Sequence, residues 1–376
     1  MNYNVSTRPR QGYKTHNVRH TPVWHYTRVA VDYPVTTDDL QKLQDLLDAK
    51  LSSTAQFRYA QYIFEQIEEQ DKRFCTITGT TKLHWKDVVK LDLYIKLYGG
   101  SRRTLEEKFG IPKSNIGEAL NWIKYKTEFF HTRYVKSLSI SQRIAISAKH
   151  MSRPHIFLTA IADGTHIKFD IKHRDNNDTI SKFEYISTKP SSKKQHCLNF
   201  VIIMLPNRFV CGVLWPVPAK RSDSQAVRNG INNQTNISNA QLINSLLTPE
   251  DTILGDCNFK CFETGSAADR TLLNCCVCTR SIKPSNRDYP PILKVIGDQL
   301  SQDRNSIEQE FGWHKLRFLQ LSNKHGFCLP TGSFRFAHSI VSNTFALQNI
   351  HTFQNILEIE DCLEDHPLFL TLTLLL

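Results

Sequence analysis

A change of hydrophobic rhythm near residue 150 constrains this chain most. Before it, apolar residues recur mostly at three- and four-residue intervals; after it, the runs HIFLTAIADGTHIKFDI, CLNFVIIML and FVCGVLWPV are β-branched and aromatic, bounded by Pro, Asn and charged clusters. The first rhythm is that of amphipathic helix and the second that of strands. Two further short strands, DTILGD and TLLNCCVCT, and a helix DRNSIEQEFGWHKLRFLQL opened near Asp303 complete the pattern. Strands followed by alternating helix and strand predict an α/β domain built on a sheet, reached through a basic link containing Arg143, Lys149 and Arg153.

Upstream, Leu40, Leu43, Leu47, Phe57, Ala60, Ile63 and Ile67 mark amphipathic helix from Thr36 to about Phe74, with Thr36 or Thr37 and the acids Asp38 and Asp39 as an N-terminal signal. This part reads as a packing helix or helical hairpin. The stretch His84 to Phe130 predicts three helices separated by Gly99-Gly100 and by Gly110-Ile111-Pro112, a helix-turn-helix spacing. Leu105, Phe109, Ile116, Leu120 and Ile123 would be its core. Lys113, Ser114, Asn115, Glu118, Asn121 and Lys124 would then lie on the helix that enters a groove, where Asn and Ser suit base edges or phosphates. Such units also serve as packing or dimerisation modules.

Of 376 residues, 47 are Lys or Arg and 36 Asp or Glu, a formal net charge of +11. That excess favours a polyanionic partner without requiring one. Residues 1–35 read as a basic arm, residues 36–150 as a helical region carrying the helix-turn-helix at about 84–130, residues 151–353 as the sheet domain and residues 354–376 as a tail. No secretory signal pattern opens the chain and no run reaches the roughly 20 apolar residues of a membrane helix, so reduced thiols and no membrane partner are expected.

Four acids stand out by position. Asp163 interrupts an apolar strand, where its charge needs a partner. Asp223 follows the third strand, Asp256 ends the strand ILGD, and Glu308 lies on the helix NSIEQEFGWHKLRF. Taken singly, Asp223 reads better as a helix N-cap, Asp256 as the start of an Asx turn and Glu308 as a solvated helix residue. Their order along the chain would bring all four to one edge of a mixed sheet. Two carboxylates about 4 Å apart repel by roughly 4 kcal/mol at an effective dielectric near 20. Protons or hard cations such as magnesium or manganese resolve that conflict.

The ordered set ADGTHIKF, YISTKPSSKKQHCLNF, GVLWPVPAKRSDSQAV, TILGDCNF, RNSIEQEFGWHKLRF and AHSIVSNTFALQNIHTF resembles the PIF/Harbinger family of DDE transposases and their domesticated relatives, over about Ile161 to Phe353. The resemblance implies a ribonuclease-H-like mixed sheet flanked by helices, preceded by the all-α helix-turn-helix segment. It implies Asp163, Asp256 and Glu308 as catalytic carboxylates, with Asp223 as a further ligand, around two divalent ions, Mg2+ or Mn2+. Glu310 is the weaker alternative to Glu308, which directly follows Ile307 in the family-like pattern. Lys315 and Arg317 are candidate phosphate contacts. The chain departs from the family in its longer Asp256 to Glu308 interval, in AKRSDS before Asp223, and in ALQNI, which leaves Asn349 a structural role.

Double-stranded DNA, both terminal inverted repeats and a target site, is the implied partner; a Myb-like protein is a second, a further copy of the chain a third, and the nucleus the implied compartment. The expected activity is cleavage of element ends and joining to target DNA. A domesticated derivative that binds DNA or protein without cutting, and a nuclease without strand joining, are the alternatives. Cys257, Cys261, Cys275, Cys276 and Cys278 form no clean pair of CxxC knuckles, so they read either as zinc ligands or, for Cys275 to Cys278, as small buried hydrophobes on a strand.

Overall fold

The computed structural model describes residues 37–67, 83, 85–150, 158–168, 182–187, 195–232, 235–279, 291–322 and 334–353. The proposed arm and tail, and residues 68–74 of the first helical stretch, lie outside these.

Among the described residues, six α-helices precede the sheet: α1 (Thr37–Asp48), α2 (Ser53–Glu65), α3 (Trp85–Tyr98), α4 (Arg102–Phe109), α5 (Lys113–Lys126) and α6 (Ile140–His150). The first amphipathic stretch is thus two helices, because the Ser52 hydroxyl accepts from the Ala55 amide and starts a new one. Leu43, Leu47 and Ile63 are buried as the periodicity predicts, but Phe57 is exposed. Between α4 and α5 the chain turns at Gly110, whose φ of 66° is left-handed and costs glycine little. Leu105, Phe109, Ile116 and Ile123 are buried between α3, α4 and α5.

The main sheet contains β1 (Ala160–Lys168), β2 (Cys197–Met204), β3 (Val210–Val213), β4 (Val217–Pro218), β7 (Thr252–Gly255) and β8 (Cys276–Thr279). Its order is β3-β2-β1-β7-β8, with β4 also paired to β2. The pairs β1/β2 and β2/β3 are antiparallel, and β1/β7 and β7/β8 are parallel. A separate ribbon pairs β5 (Ile231–Asn232) with β6 (Ile237–Ser238). Every residue of β2 is buried, so both faces of the sheet are covered there, as a run that is apolar but for Asn199 demands.

The covering helices are α7 (Asp223–Asn229), α8 (Asn239–Leu246), α9 (Lys260–Thr264), α10 (Ala267–Arg270), α11 (Pro291–Arg317) and α12 (Phe334–Thr352). Helix α11 begins at Pro291, well before Asp303. Proline suits a first helical turn, where its missing N–H costs nothing, and Asp303 therefore lies inside the helix instead of opening it. The TLLNCCVCT strand shortens to Cys276–Thr279.

The helical region and the sheet share one buried core, running from Leu43 to Ile350. Helix α12 packs against both. Its Asn343 accepts from the His131 amide and donates to the Thr127 carbonyl. Its Asn349, fully buried, accepts from the Val210 amide and donates to the Tyr134 and Val210 carbonyls, so it completes the backbone bonding of β3.

Candidate active site

Strand β1 carries Asp163 into the middle of the sheet, where it is 6% exposed and its Oδ1 accepts from the Gly164 amide at 2.8 Å. The parallel register pairs Ala160 with Ile253 and Ile161 with Leu254. Continued along both strands, that register brings Asp163 beside Asp256, the residue following β7. A Cβ on Gly255 would lie 2.6 Å from the Phe259 ring, so only glycine lets the chain turn there. Asp256 then caps the turn: Oδ1 accepts from the Asn258 amide and Oδ2 from Asn258 Nδ2, both at 2.8 Å.

Asp223 arrives from the other side, as the first residue of α7. Ser222, not Asp223, is the N-cap, closing a capping box with Gln225. This leaves the Asp223 carboxylate for another task. It is 4% exposed, and Oδ1 accepts from Asn199 Nδ2 at 2.7 Å. The carboxylate occupies the space a side chain at position 164 would take, since a Cβ there would lie 2.0 Å from Asp223 Oδ1.

Asp163, Asp223 and Asp256 each present a carboxylate oxygen, and the three atoms lie within 4.8 Å of one another. Glu308 stands outside this trio. Its side chain is 52% exposed, and Oε1 is 2.6 Å from Arg304 Nη2. Arg304 Nη1 in turn lies 3.7 Å from Asp163 Oδ2, so Glu308 reaches the trio through an arginine. Glu310 points elsewhere: it is 3% exposed, burial pushes its carboxyl up against the opposing charges of Arg208 and Arg317, and its Oε1 has no hydrogen-bond partner.

The other candidates are not brought together with the acids as one group. Lys315 Nζ donates to the His166 carbonyl on β1 at 3.1 Å. Arg317 Nη1 donates to Gln348 on α12 at 2.6 Å, a bond between two packed helices. On α5, Lys113, Ser114 and Asn121 are exposed and Asn115 is partly so. Lys124 instead lays its ammonium 3.4 Å from the Phe336 ring centroid, and burial lowers its pKa. Cys275 is buried and its thiol pushed up to about 12 by that burial, while Cys276 is exposed; among the described residues no cysteine joins a metal-sized cluster.

Three residues escaped the sequence reading. Arg304 was legible as the i−4 neighbour of Glu308 on one helix face, and Gly164 as the residue next to Asp163. Asn199 carried no local signal, because its approach to Asp223 depends on how α7 folds back over β2.

Three hard oxygen donors suit Mg2+ or Mn2+. Oxygens on one magnesium at roughly 2.1 Å stand at most about 4.2 Å apart, so the observed limit of 4.8 Å leaves little side-chain adjustment to make. Asn199 Oδ1, buried beside Asp223 without a hydrogen-bond partner, is an oxygen in want of a donor or cation. The residues therefore fit a divalent ion.

A model of the DDE superfamily endonuclease family matches residues 162–349, half of the 376-residue chain. The match contains all four acids. No curated protein and no solved structure matches.

Proposed function

Because the chain belongs to the DDE superfamily of endonucleases, we propose that it is a DNA transposase of the PIF/Harbinger type, which cuts element ends and joins them to target DNA. Membership implies a DNA substrate, and the three close carboxylates match the divalent-metal dependence typical of that superfamily. The observation that carries the proposal is the convergence of Asp163, Asp223 and Asp256 from a strand, a helix start and a strand end that are distant in sequence. The strand order, three antiparallel strands followed by two parallel ones, supports a ribonuclease-H-like reading of the sheet.

In this proposal Asp163, Asp223 and Asp256 hold the metal, and Glu308 completes the set from α11. Two bound divalent ions supply activation of a water or 3′-hydroxyl and stabilisation of the leaving oxygen. The protein's own contribution is positioning. Gly164 makes room for Asp223, Asn199 orients it, and the Asn258 bonds fix Asp256. Helices α4 and α5 serve as the helix-turn-helix, presenting Lys113, Ser114, Asn115 and Asn121 to DNA. The division into arm, helical region, catalytic domain and tail, a nuclear site of action, a Myb-like partner and self-association belong to the same proposal.

The decisive assay incubates purified protein with labelled DNA carrying its element's terminal repeats, with Mg2+ or with chelator, beside Asp163→Asn. Cleavage and strand joining that need both the metal and Asp163 are expected; cleavage that survives both treatments sinks the proposal. The pairing of Glu308 with Arg304 favours a second reading, a domesticated derivative that binds DNA or protein without cutting. Specific binding to the repeats with no cleavage in Mg2+ or Mn2+ would select it.

A further inference from the structure

Within the acid site stands a cation that belongs to the chain itself. Arg304 Nη2 lies 2.6 Å from Glu308 Oε1 and Nη1 lies 3.7 Å from Asp163 Oδ2. The i to i+4 spacing puts Arg304 and Glu308 on one face of α11, and α11 packs on β1, which carries Asp163. The arginine side chain is only 22% exposed. A guanidinium is permanently charged, weakly hydrated and forked, so it spans two carboxylates where an ammonium would satisfy one. Its charge offsets part of the repulsion among the clustered acids.

Resting on the metal-site reading above, we propose that Arg304 is the internal counter-ion of the acid cluster, and that a divalent ion displaces it from Asp163 and Glu308 on binding. Metal entry and arginine release are then one exchange, two cations competing for the same oxygens. The released guanidinium stays at the site, where its geometry suits bidentate contact with a phosphate of the DNA backbone. Arg304 is thus a positioning residue that keeps the empty cluster assembled and hands Glu308 to the metal.

The test is a calorimetric titration of Mn2+ into the full-length protein without DNA, in wild type, Arg304→Gln, Arg304→Met, Arg304→Lys and Asp163→Asn. Both neutral variants are expected to bind Mn2+ roughly two- to fivefold tighter, the scale of losing one partly exposed ion-pair competitor. Arg304→Lys, which keeps the charge but can satisfy only one of the two carboxylates, is expected between wild type and the neutral variants. Arg304→Met preserves the aliphatic packing should Arg304→Gln not fold. Melting in EDTA is expected to show the neutral variants less stable than wild type and more strongly raised by Mn2+. Equal or weaker Mn2+ binding by the neutral variants, with binding still lost in Asp163→Asn, overturns the exchange alone. Mn2+ binding indifferent to Asp163→Asn overturns the metal site and the exchange with it.

Discussion

Strand β7 has an aspartate at each end, and the two are treated in opposite ways. Asp251, just before the strand, is fully buried; its carboxylate accepts from Arg143 Nε at 2.9 Å and from Nη2, and from the Thr248 amide at 2.7 Å. Burial alone would raise that carboxyl, but the bonds from Arg143, Thr159 and the backbone hold it below its ordinary value. Asp256, just after the strand, keeps partial exposure and faces Asp163 and Asp223. One charge is matched by a buried cation; the other, held in place by neutral donors from Asn258, is gathered with like charges at a cost. A fold pairs with full counter-charge the acid that only holds it together, and orients but leaves clustered those that must meet something from outside.

The contrast breaks most visibly through stability. Asp251→Ala strands Arg143 in the interior and is expected to cost about 3–5 kcal/mol, the scale for removing one partner of a buried pair. Chemical denaturation measures it. Because the folded carboxyl titrates below its unfolded value of 3.8, the pair's contribution is present above that value and lost as pH falls through the lower, folded one. Asp163→Asn should do the reverse, leaving the melting temperature in EDTA unchanged or higher while cleavage falls by more than about 100-fold, the loss seen for changes merely adjacent to metal ligands. A melting temperature that drops as far as that of Asp251→Ala would place Asp163 with the structural acids.

A subtler probe is Gly164→Ala. The added methyl meets Asp223 Oδ1 at 2.0 Å, so the carboxylate must move. Mn2+ affinity is expected to fall roughly 10- to 100-fold, in a calorimetric titration, with little change in helix or strand content. Unchanged affinity would remove Asp223 from the metal set.

What could be read in the sequence follows the same division. Strands β2 and β3 were legible because nearly every residue in them is apolar, and β1 from its apolar start Ala160–Ala162, where Asp163 breaks the run. The α4–α5 pair was legible from its glycine turn and apolar spacing. Features fixed by contacts between distant segments were not. The start of α11 at Pro291, the exposure of Phe57, the bridging by Arg304 and the approach of Asp223 over Gly164 each depend on which element packs where. Sequence order brought Glu308 into one set with the three aspartates, whereas the structure links it to Asp163 through Arg304.

Neutral histidines at the join between α12 and the helical region extend the structural side of the comparison. Burial lowers His131 from 6.5 to about 3, with His338 adding to the effect, and burial lowers His338 from 6.5 to about 4. The unfolded chain takes up these protons first, so stability is complete above pH 6.5 and falls as pH drops from there toward the folded values. Each histidine contributes a slope of up to roughly 1.4 kcal/mol per pH unit. Denaturation midpoints measured between about pH 4.5 and 7 in metal-free buffer should show this loss, and His131→Gln should lessen it. A flat profile would mean that water reaches both rings.

The same rule applied to cations divides two lysines of α5 that sequence alone placed together. Lys124 is answered by the Phe336 ring at 3.4 Å, and its lowered pKa follows from burial. Lys113 is exposed at the first turn, where its charge remains available to a phosphate. If α5 lies against DNA, each phosphate contact releases counterions and adds about one unit to the slope of log affinity against log salt. Lys113→Ala is therefore expected to flatten that slope by about one unit, whereas Lys124→Ala leaves it unchanged and lowers the melting temperature. Equal flattening by both would show that the Phe336 contact opens on binding. No flattening by either would turn the helix back into a packing element.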